Sequence, residues 1–411
     1  MKVLQISSHY DWGGAACVVA TLHRQWLSKD MEAYAAYGRG TYPKDKNTFR
    51  FGTKLEVCFS VMLSRITGWN GCFNRRSTAR LIRKIEQIQP DIIHMHVLHG
   101  YYINVPMLFH YINKNKIPYI WTMHDCHAFT GNCGYFFDCR GWEEGCGNCP
   151  YLKNYPKSLI FDHTARMWLR KKELYGNSKG EIVAPSPWLF REIKKSFLGK
   201  ADCRVIPNGI DTTIFRYTKE KDKLREKYGY AKDEKIILGV AIGYRDERKG
   251  ADYILQLAEE LKEARIILIG WNKKSNSVNK VLTNVVTMKA IQDKKILAEY
   301  YAMADVFVIP SLAENYATTV LESLACGTPV VGFDVGGIGQ QLEEGKGLTV
   351  PIGDGAAFSR AVRRVLYDEN CVLRGETLAD KVKELNSAEH MAGEYLKLYR
   401  EVLSEERNLL H

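Results

Sequence analysis

No stretch of the 411-residue chain approaches the ~20 consecutive apolar positions that a helix needs to cross a bilayer. The opening Met1-Lys2-Val3-Leu4-Gln5-Ile6 is too short for the apolar region of a secretory leader and runs directly into Ser7-Ser8-His9, so it reads as a first strand. Without leader or span, the expected location is the cytoplasm, with peripheral association at the inner face of the cell membrane left open. Thiols stay reduced there, so the eleven cysteines argue against a disulfide framework and leave metal binding or buried free thiols to account for them.

Net charge is lacking in one half only. Residues 1–205 carry 29 Lys and Arg against 16 Asp and Glu, whereas the remainder carries 29 against 31, giving +13 and −2 within a total of +11. Such asymmetry favours an anionic partner for the first half: a membrane surface, a phosphorylated acceptor or nucleic acid. No recognised nucleic-acid module is present, so nucleic acid is not expected. The length exceeds what one hydrophobic core usually supports, and two domains are expected.

What is present alternates strand and helix. After the first strand, a loop with Trp12-Gly13-Gly14-Ala15-Ala16 precedes an amphipathic helix reaching about Leu27. Its glycines allow a phosphate close to backbone N–H groups at a helix start, although the full G-x-G-x-x-G is missing and a plain tight turn explains them too. Residues 55–89 mix Phe59, Val61, Met62, Leu63 and Ile66 with Arg75, Arg76, Arg80, Arg83 and Lys84. This basic amphipathic segment is either a docking face for an anionic membrane or a solvated helical face over a buried one. Two buried-strand signals then end in histidines, at His94 and His96 and at His124-Asp125. Five cysteines fall between 126 and 149, four of them spaced Cys133-x5-Cys139-x6-Cys146-x2-Cys149 among glycines. The closing pair suits a structural zinc site and the irregular first pair does not, so reduced structural thiols are the alternative.

Pro207-Asn208-Gly209 is a turn signal whose segment resembles the interdomain linker of a known enzyme family, which implies a boundary near 207, and a second α/β unit opens at Ile236-Ile237-Leu238. The expected division is 1–207, with 126–149 inserted, and 208–385. Residues 386–411 form a terminal amphipathic helix. In the second unit, Gly243-Tyr244-Arg245-Asp246-Glu247-Arg248-Lys249-Gly250 collects three cations after a strand. Further on, a strand from Asp305 to Pro310 leads into a polar loop with Glu314 and a short helix stopped by Gly327 and Pro329. Parallel sheets bind ligands beyond the carboxyl ends of their strands, where Glu314 would lie as a free acceptor for hydroxyl groups. Thr319-Val320-Leu321-Glu322 matches a capping box, which gives Glu322 a purely structural reading.

Glu314 and Glu322 together frame an E-x7-E pattern followed by Leu321-Glu322-Ser323-Leu324-Ala325-Cys326-Gly327-Thr328-Pro329-Val330-Val331. The string resembles that of the retaining family 4 glycosyltransferases, and the likeness extends over nearly the whole chain. It implies a glycosyltransferase-B architecture, two Rossmann-like parallel-sheet domains facing across a cleft, with the terminal helix crossing back onto the first. The activity it implies is transfer of a sugar from a UDP- or GDP-sugar to a saccharide or lipid-linked acceptor, with retention of configuration, in bacterial surface polysaccharide assembly.

By the same resemblance His124 lies beside the transferred sugar and Lys249 holds the diphosphate. Donor contacts fall to Gly13, Gly14, Arg245, Arg248, Glu314, Asn315, Tyr316, Ala317, Thr318 and Glu322. Tyr244 stands where the family places a companion arginine, so Arg245 or Arg248 replaces it. The cysteine insert resembles that of the colanic acid type. No Asp-x-Asp occurs, and catalysis is expected to be independent of metal. Rival readings are another enzyme on this fold, such as a sugar-phosphate synthase or nucleotide-sugar epimerase, and a basic anion- or RNA-binding protein with a degenerate sugar site.

Overall fold

The computed structural model describes residues 1–41, 45–176, 180–241, 246–271 and 282–409. The chain divides into two compact units, Met1–Pro207 with Met391–His411, and Asn208–His390.

The first unit is built on a parallel seven-stranded sheet of β1 (Lys2–Ser7), β2 (Glu32–Tyr37), β3 (Thr48–Arg50), β4 (Ile92–Met95), β5 (Tyr119–Thr122), β6 (Glu181–Ala184) and β7 (Cys203–Val205), in the order β3-β2-β1-β4-β5-β6-β7. Its strands read as continuous apolar runs because both faces are covered. Leu4, Ile6, Ile93 and Trp121 join one buried cluster, while Val3, Ile92 and Ile120 join another on the opposite face, as a two-residue repeat requires. The second cluster is completed by Val18, Leu22 and Trp26 of the helix Gly14–Leu27 and by Met391, Tyr395, Leu398 and Tyr399 of the helix Ala388–Leu409.

The second unit carries a parallel six-stranded sheet of β8 (Ile236–Val240), β9 (Arg265–Ile269), β10 (Val285–Met288), β11 (Val306–Ile309), β12 (Val330–Phe333) and β13 (Gly347–Val350), ordered β10-β9-β8-β11-β12-β13. Ile236, Leu238, Phe307 and Ile309 pack on one side, and Ile237, Val306 and Val308 on the other. In each sheet the strand order reverses once, between β1 and β4 and between β8 and β11. Loops leaving the carboxyl ends of strands at such a reversal diverge and open a crevice.

Residues 55–89 are not one segment but two helices, Lys54–Thr67 and Arg75–Ile88. The first begins with a capping box between Thr53 and Glu56 and ends where Gly68 takes φ 71°, a left-handed conformation that costs glycine little. Among the described residues no helix is long and apolar enough to cross a membrane.

Candidate functional site

In the second unit, the turn Glu247–Lys249 starts with Asp246, whose carboxylate accepts from the Arg248 amide at 3.1 Å. It closes at Gly250, where φ is 65° and a side chain would strike the Pro310 carbonyl oxygen. This fold of the backbone delivers two cations to the loop after β11. Arg248 Nη1 donates to the Ala313 carbonyl at 2.7 Å and to Glu314 Oε1 at 3.2 Å, and Lys249 Nζ pairs with the same carboxylate oxygen. Glu314 is 8% exposed. Burial pushes its carboxyl up, but Lys249 and Arg248 outweigh that effect and hold it below the usual carboxylate range.

The expectation that Glu314 is a free acceptor is therefore corrected. A carboxylate this buried stays ionised only with partners, and its partners are the cations expected to hold phosphate. Arg248 shares the Glu314 carboxylate with Lys249. Arg245, with Gly243 and Tyr244, lies outside the described residues.

The rest of the loop is shaped by side chains distant in sequence. Gly337 N donates to the Asn315 carbonyl at 2.7 Å, and Gly336, at φ 59°, leaves no room for a Cβ against the Glu314 carbonyl. Asn208 Nδ2 donates to the Tyr316 carbonyl at 3.2 Å, and Asn386 Nδ2 to the Tyr316 hydroxyl at 3.1 Å. Gln341 grips Ala317 twice, its Oε1 accepting from the amide at 3.0 Å and its Nε2 donating to the carbonyl at 2.9 Å.

The helix Thr318–Ala325 then begins without a side-chain cap, which suits its first-turn N–H groups to an anion or hydroxyl. The capping box that would give Glu322 a purely structural role does not form, because the helix already starts at Thr318 and Glu322 sits in its second turn. Glu322 Oε2 instead accepts from the Tyr301 hydroxyl at 3.1 Å, and burial pushes its carboxyl up to about 7.

In the first unit, Gly13 takes φ 82° ahead of the helix Gly14–Leu27, which likewise has no side-chain cap. His124 follows β5 and meets His96, which follows β4, at 3.1 Å between ring nitrogens. Burial is the main cause holding the His124 ring down to about 4, so it is neutral near pH 7. His124, Asp125, His99, His127 and Lys171 line one cavity, within which His99 Nε2 and Asp125 Oδ2 are 2.5 Å apart. The unit thus groups histidines at the strand ends, while the cations with Glu314 belong to the other unit.

The sequence leaves two readings of the cysteine insert open, a structural zinc site and reduced structural thiols. Among the described residues no group of three or more His, Cys, Asp or Glu side chains is disposed to hold a metal ion, and Cys133, Cys139, Cys146 and Cys149 are free thiols. Burial pushes Cys133 up to about 12 and Cys146 up to about 11. The insert is anchored by burial, with Phe129, Phe136 and Trp142 joining the same buried cluster as Leu4, Ile6 and Trp121 of the sheet. Buried Lys171 fastens it, donating to the His127 carbonyl at 2.6 Å and the Thr130 carbonyl at 2.9 Å. Sequence reasoning missed Gln341, Tyr301, Asn386 and Lys171. Each is a polar residue on a helix whose partner lies more than twenty residues away in the chain, and nothing in its immediate neighbours marks it.

Comparison with known proteins gives a consistent result. Residues 12–214 match the model described as Glycosyltransferase Family 4, and residues 234–368 match that described as Glycosyl transferases group 1. A protein of Escherichia coli (strain K12), named for colanic acid biosynthesis as a glycosyl transferase, is 25% identical over 420 residues, covering 97% of this chain and 100% of the relative. Sucrose-phosphate synthase from Thermosynechococcus elongatus superposes with a TM-score of 0.73 at 19% identity, over 98% of this chain and 100% of that one. HepE of Anabaena, in complex with UDP-glucose, gives 0.67 at 14% identity over 98% and 100%.

Proposed function

Since the chain belongs to the family 4 glycosyltransferases and has their glycosyltransferase-B fold, we propose that it moves a sugar from a UDP- or GDP-sugar to a saccharide or lipid-linked acceptor, with retention of anomeric configuration, in bacterial surface polysaccharide assembly. The observation that carries this reading is the pair of cations, Arg248 and Lys249, gathered on Glu314 at the carboxyl end of a parallel sheet. Breaking a sugar–diphosphate bond builds negative charge on the leaving phosphate, and preorganised cations stabilise it where it forms. In the absence of donor, Glu314 holds both cations in place. When the diphosphate takes over the cations, Glu314 is released to accept from a sugar hydroxyl. The uncapped start of the helix Thr318–Ala325 and the Glu322 carboxylate are the donor-side groups for the nucleotide, and Gly13 and Gly14 supply a second run of amides. His124 contacts the transferred sugar. With protein cations carrying the leaving charge and no Asp-x-Asp in the chain, no metal step is invoked.

A lipid-linked acceptor needs an enzyme that reaches a membrane surface. Leu55, Phe59, Met62 and Ile66 are exposed along one side of the helix Lys54–Thr67, and the Leu159 amide donates to the Arg65 carbonyl at 2.7 Å, setting exposed Leu159, Ile160 and Phe161 beside them. Exposed Lys54, Arg65 and Lys157 flank this apolar ridge. Apolar side chains among cations suit the inner, anionic face of a cell membrane, with the enzyme in the cytoplasm.

The test is a panel of UDP- and GDP-sugars assayed for nucleotide release and for the anomeric configuration of the product. One donor is expected to react with retention, unaffected by chelator, and Lys249→Ala is expected to lower turnover by on the order of 100-fold. An inverted product, or no reaction with any nucleotide sugar, overturns the reading.

A further inference from the structure

We propose that Gln5 and His96 are positioning residues that fix which ring nitrogen of His124 carries its proton, making the other nitrogen an obligate hydrogen-bond acceptor. The geometry stands by itself, whereas its consequence for substrate choice rests on the reading of His124 as a sugar contact.

The argument starts in the middle of β1, where Gln5 is fully buried. Its Nε2 lies 3.1 Å from the Val19 carbonyl oxygen. A carbonyl oxygen only accepts, so the amide nitrogen must face it, and the amide oxygen is turned the other way. That oxygen lies 3.0 Å from His96 Nε2. An amide oxygen cannot donate, so His96 Nε2 carries a hydrogen.

Full burial is the main cause keeping His96 neutral, with His94 and His124 adding to it, and its Nδ1 is therefore a lone pair. His124 Nε2 lies 3.1 Å from that lone pair, and the two ring planes differ by 19°, which suits an N–H and a lone pair that both lie in their ring planes. The hydrogen of this bond belongs to His124 Nε2. His124 is itself neutral, so its Nδ1 holds a lone pair.

Polarity thus runs one way, from His124 through His96 and Gln5 to the backbone of the helix Gly14–Leu27, and it is set by a carbonyl oxygen that cannot reverse its role. Whatever His124 Nδ1 meets on a substrate must donate. A sugar hydroxyl does so, whereas a ring oxygen, an ether or a phosphate oxygen does not. The site would then favour a free hydroxyl at that position over a deoxy or O-methyl analogue, which has no hydrogen to give.

Protein labelled with 15N at histidine, with His124 assigned through the signal lost in His124→Gln, reports the proton position directly from its imidazole nitrogen shifts. The expected result is a protonated Nε2 and an unprotonated Nδ1. His96→Gln, whose amide can accept from His124 and donate to Gln5, is expected to keep that tautomer and near-normal turnover. His96→Leu is expected to release it to a mixture and to lower turnover by about tenfold, the worth of one hydrogen bond. Gln5→Met carries the same test from the far end should the leucine variant fail to fold. A protonated Nδ1 in the unaltered protein, or an unchanged tautomer in His96→Leu and Gln5→Met, overturns the proposal. An intact tautomer pattern together with full turnover in His124→Ala would leave the wiring standing and remove the sugar contact instead.

Discussion

A residue poised for a ligand can be a liability without one, and Glu322 illustrates this. Its carboxyl, raised by burial from 4.5 to about 7, ionises less readily in the folded protein than in the unfolded chain. Below about pH 4.5 it is neutral in both states and costs nothing. As the pH rises towards 7 the unfolded chain ionises first, so stability falls, and above 7 the loss is constant. Glu322→Gln is therefore expected to melt together with the unaltered protein at pH 4 and to be the more stable at pH 8, by on the order of 3 kcal/mol. Thermal unfolding across that range checks it, and a difference independent of pH would assign the effect to another group. Glu314 solves the same problem in the opposite way, since Lys249 and Arg248 keep it ionised despite burial.

At the scale of elements, the strands and the motif were legible in the sequence because they are governed by local pattern. The buried runs around Ile236 and Val306 read as parallel strands, and the E-x7-E string located both glutamates on the loop and helix after β11. The free state of Glu314 and the alternative capping role of Glu322 did not hold, for a common physical reason. The Thr319–Glu322 cap and the free Glu314 were inferred from neighbours in sequence, whereas the helix start is set by Gln341 holding Ala317, and the state of Glu314 by cations 65 and 66 residues away.

The cysteine insert was read from its thiols and glycines, whereas Phe129 and Phe136 each pack against Trp142 within the buried cluster of the first unit. Its fastening is an ammonium from the helix Thr164–Gly176. Lys171→Met should strand two buried carbonyl groups and destabilise the protein by about 2–3 kcal/mol. Amide exchange is expected to quicken across the insert in particular. Unchanged exchange there would return the fastening role to the thiols.

At the scale of the whole molecule, the excess of positive charge in the first half and the apolar ridge on two of its segments predict a membrane interaction with two separable components. Co-sedimentation with anionic vesicles is expected to weaken with salt and with Arg65→Glu, while Phe59→Ser and Phe161→Ser should weaken it even at low salt, by removing apolar insertion. Equal binding of all variants to neutral and anionic vesicles would remove the electrostatic part of the argument.

The fold also sets the order in which the protein can be completed. The helix Ala388–Leu409 supplies Tyr399, 2.6 Å from His94, and Tyr395, 2.7 Å from Thr122, across 305 and 273 residues of chain. One face of the first sheet therefore stays partly uncovered, with His94 and Thr122 lacking these hydroxyl partners, while the ribosome makes all of the second unit. The first unit is begun before the second but finished after it. In the interval, Val3, Ile92, Ile120 and Trp26 present an unfinished apolar surface. A nascent chain stalled within the second unit is accordingly a species that chaperones and aggregation compete for, whatever the soundness of the unit then being made.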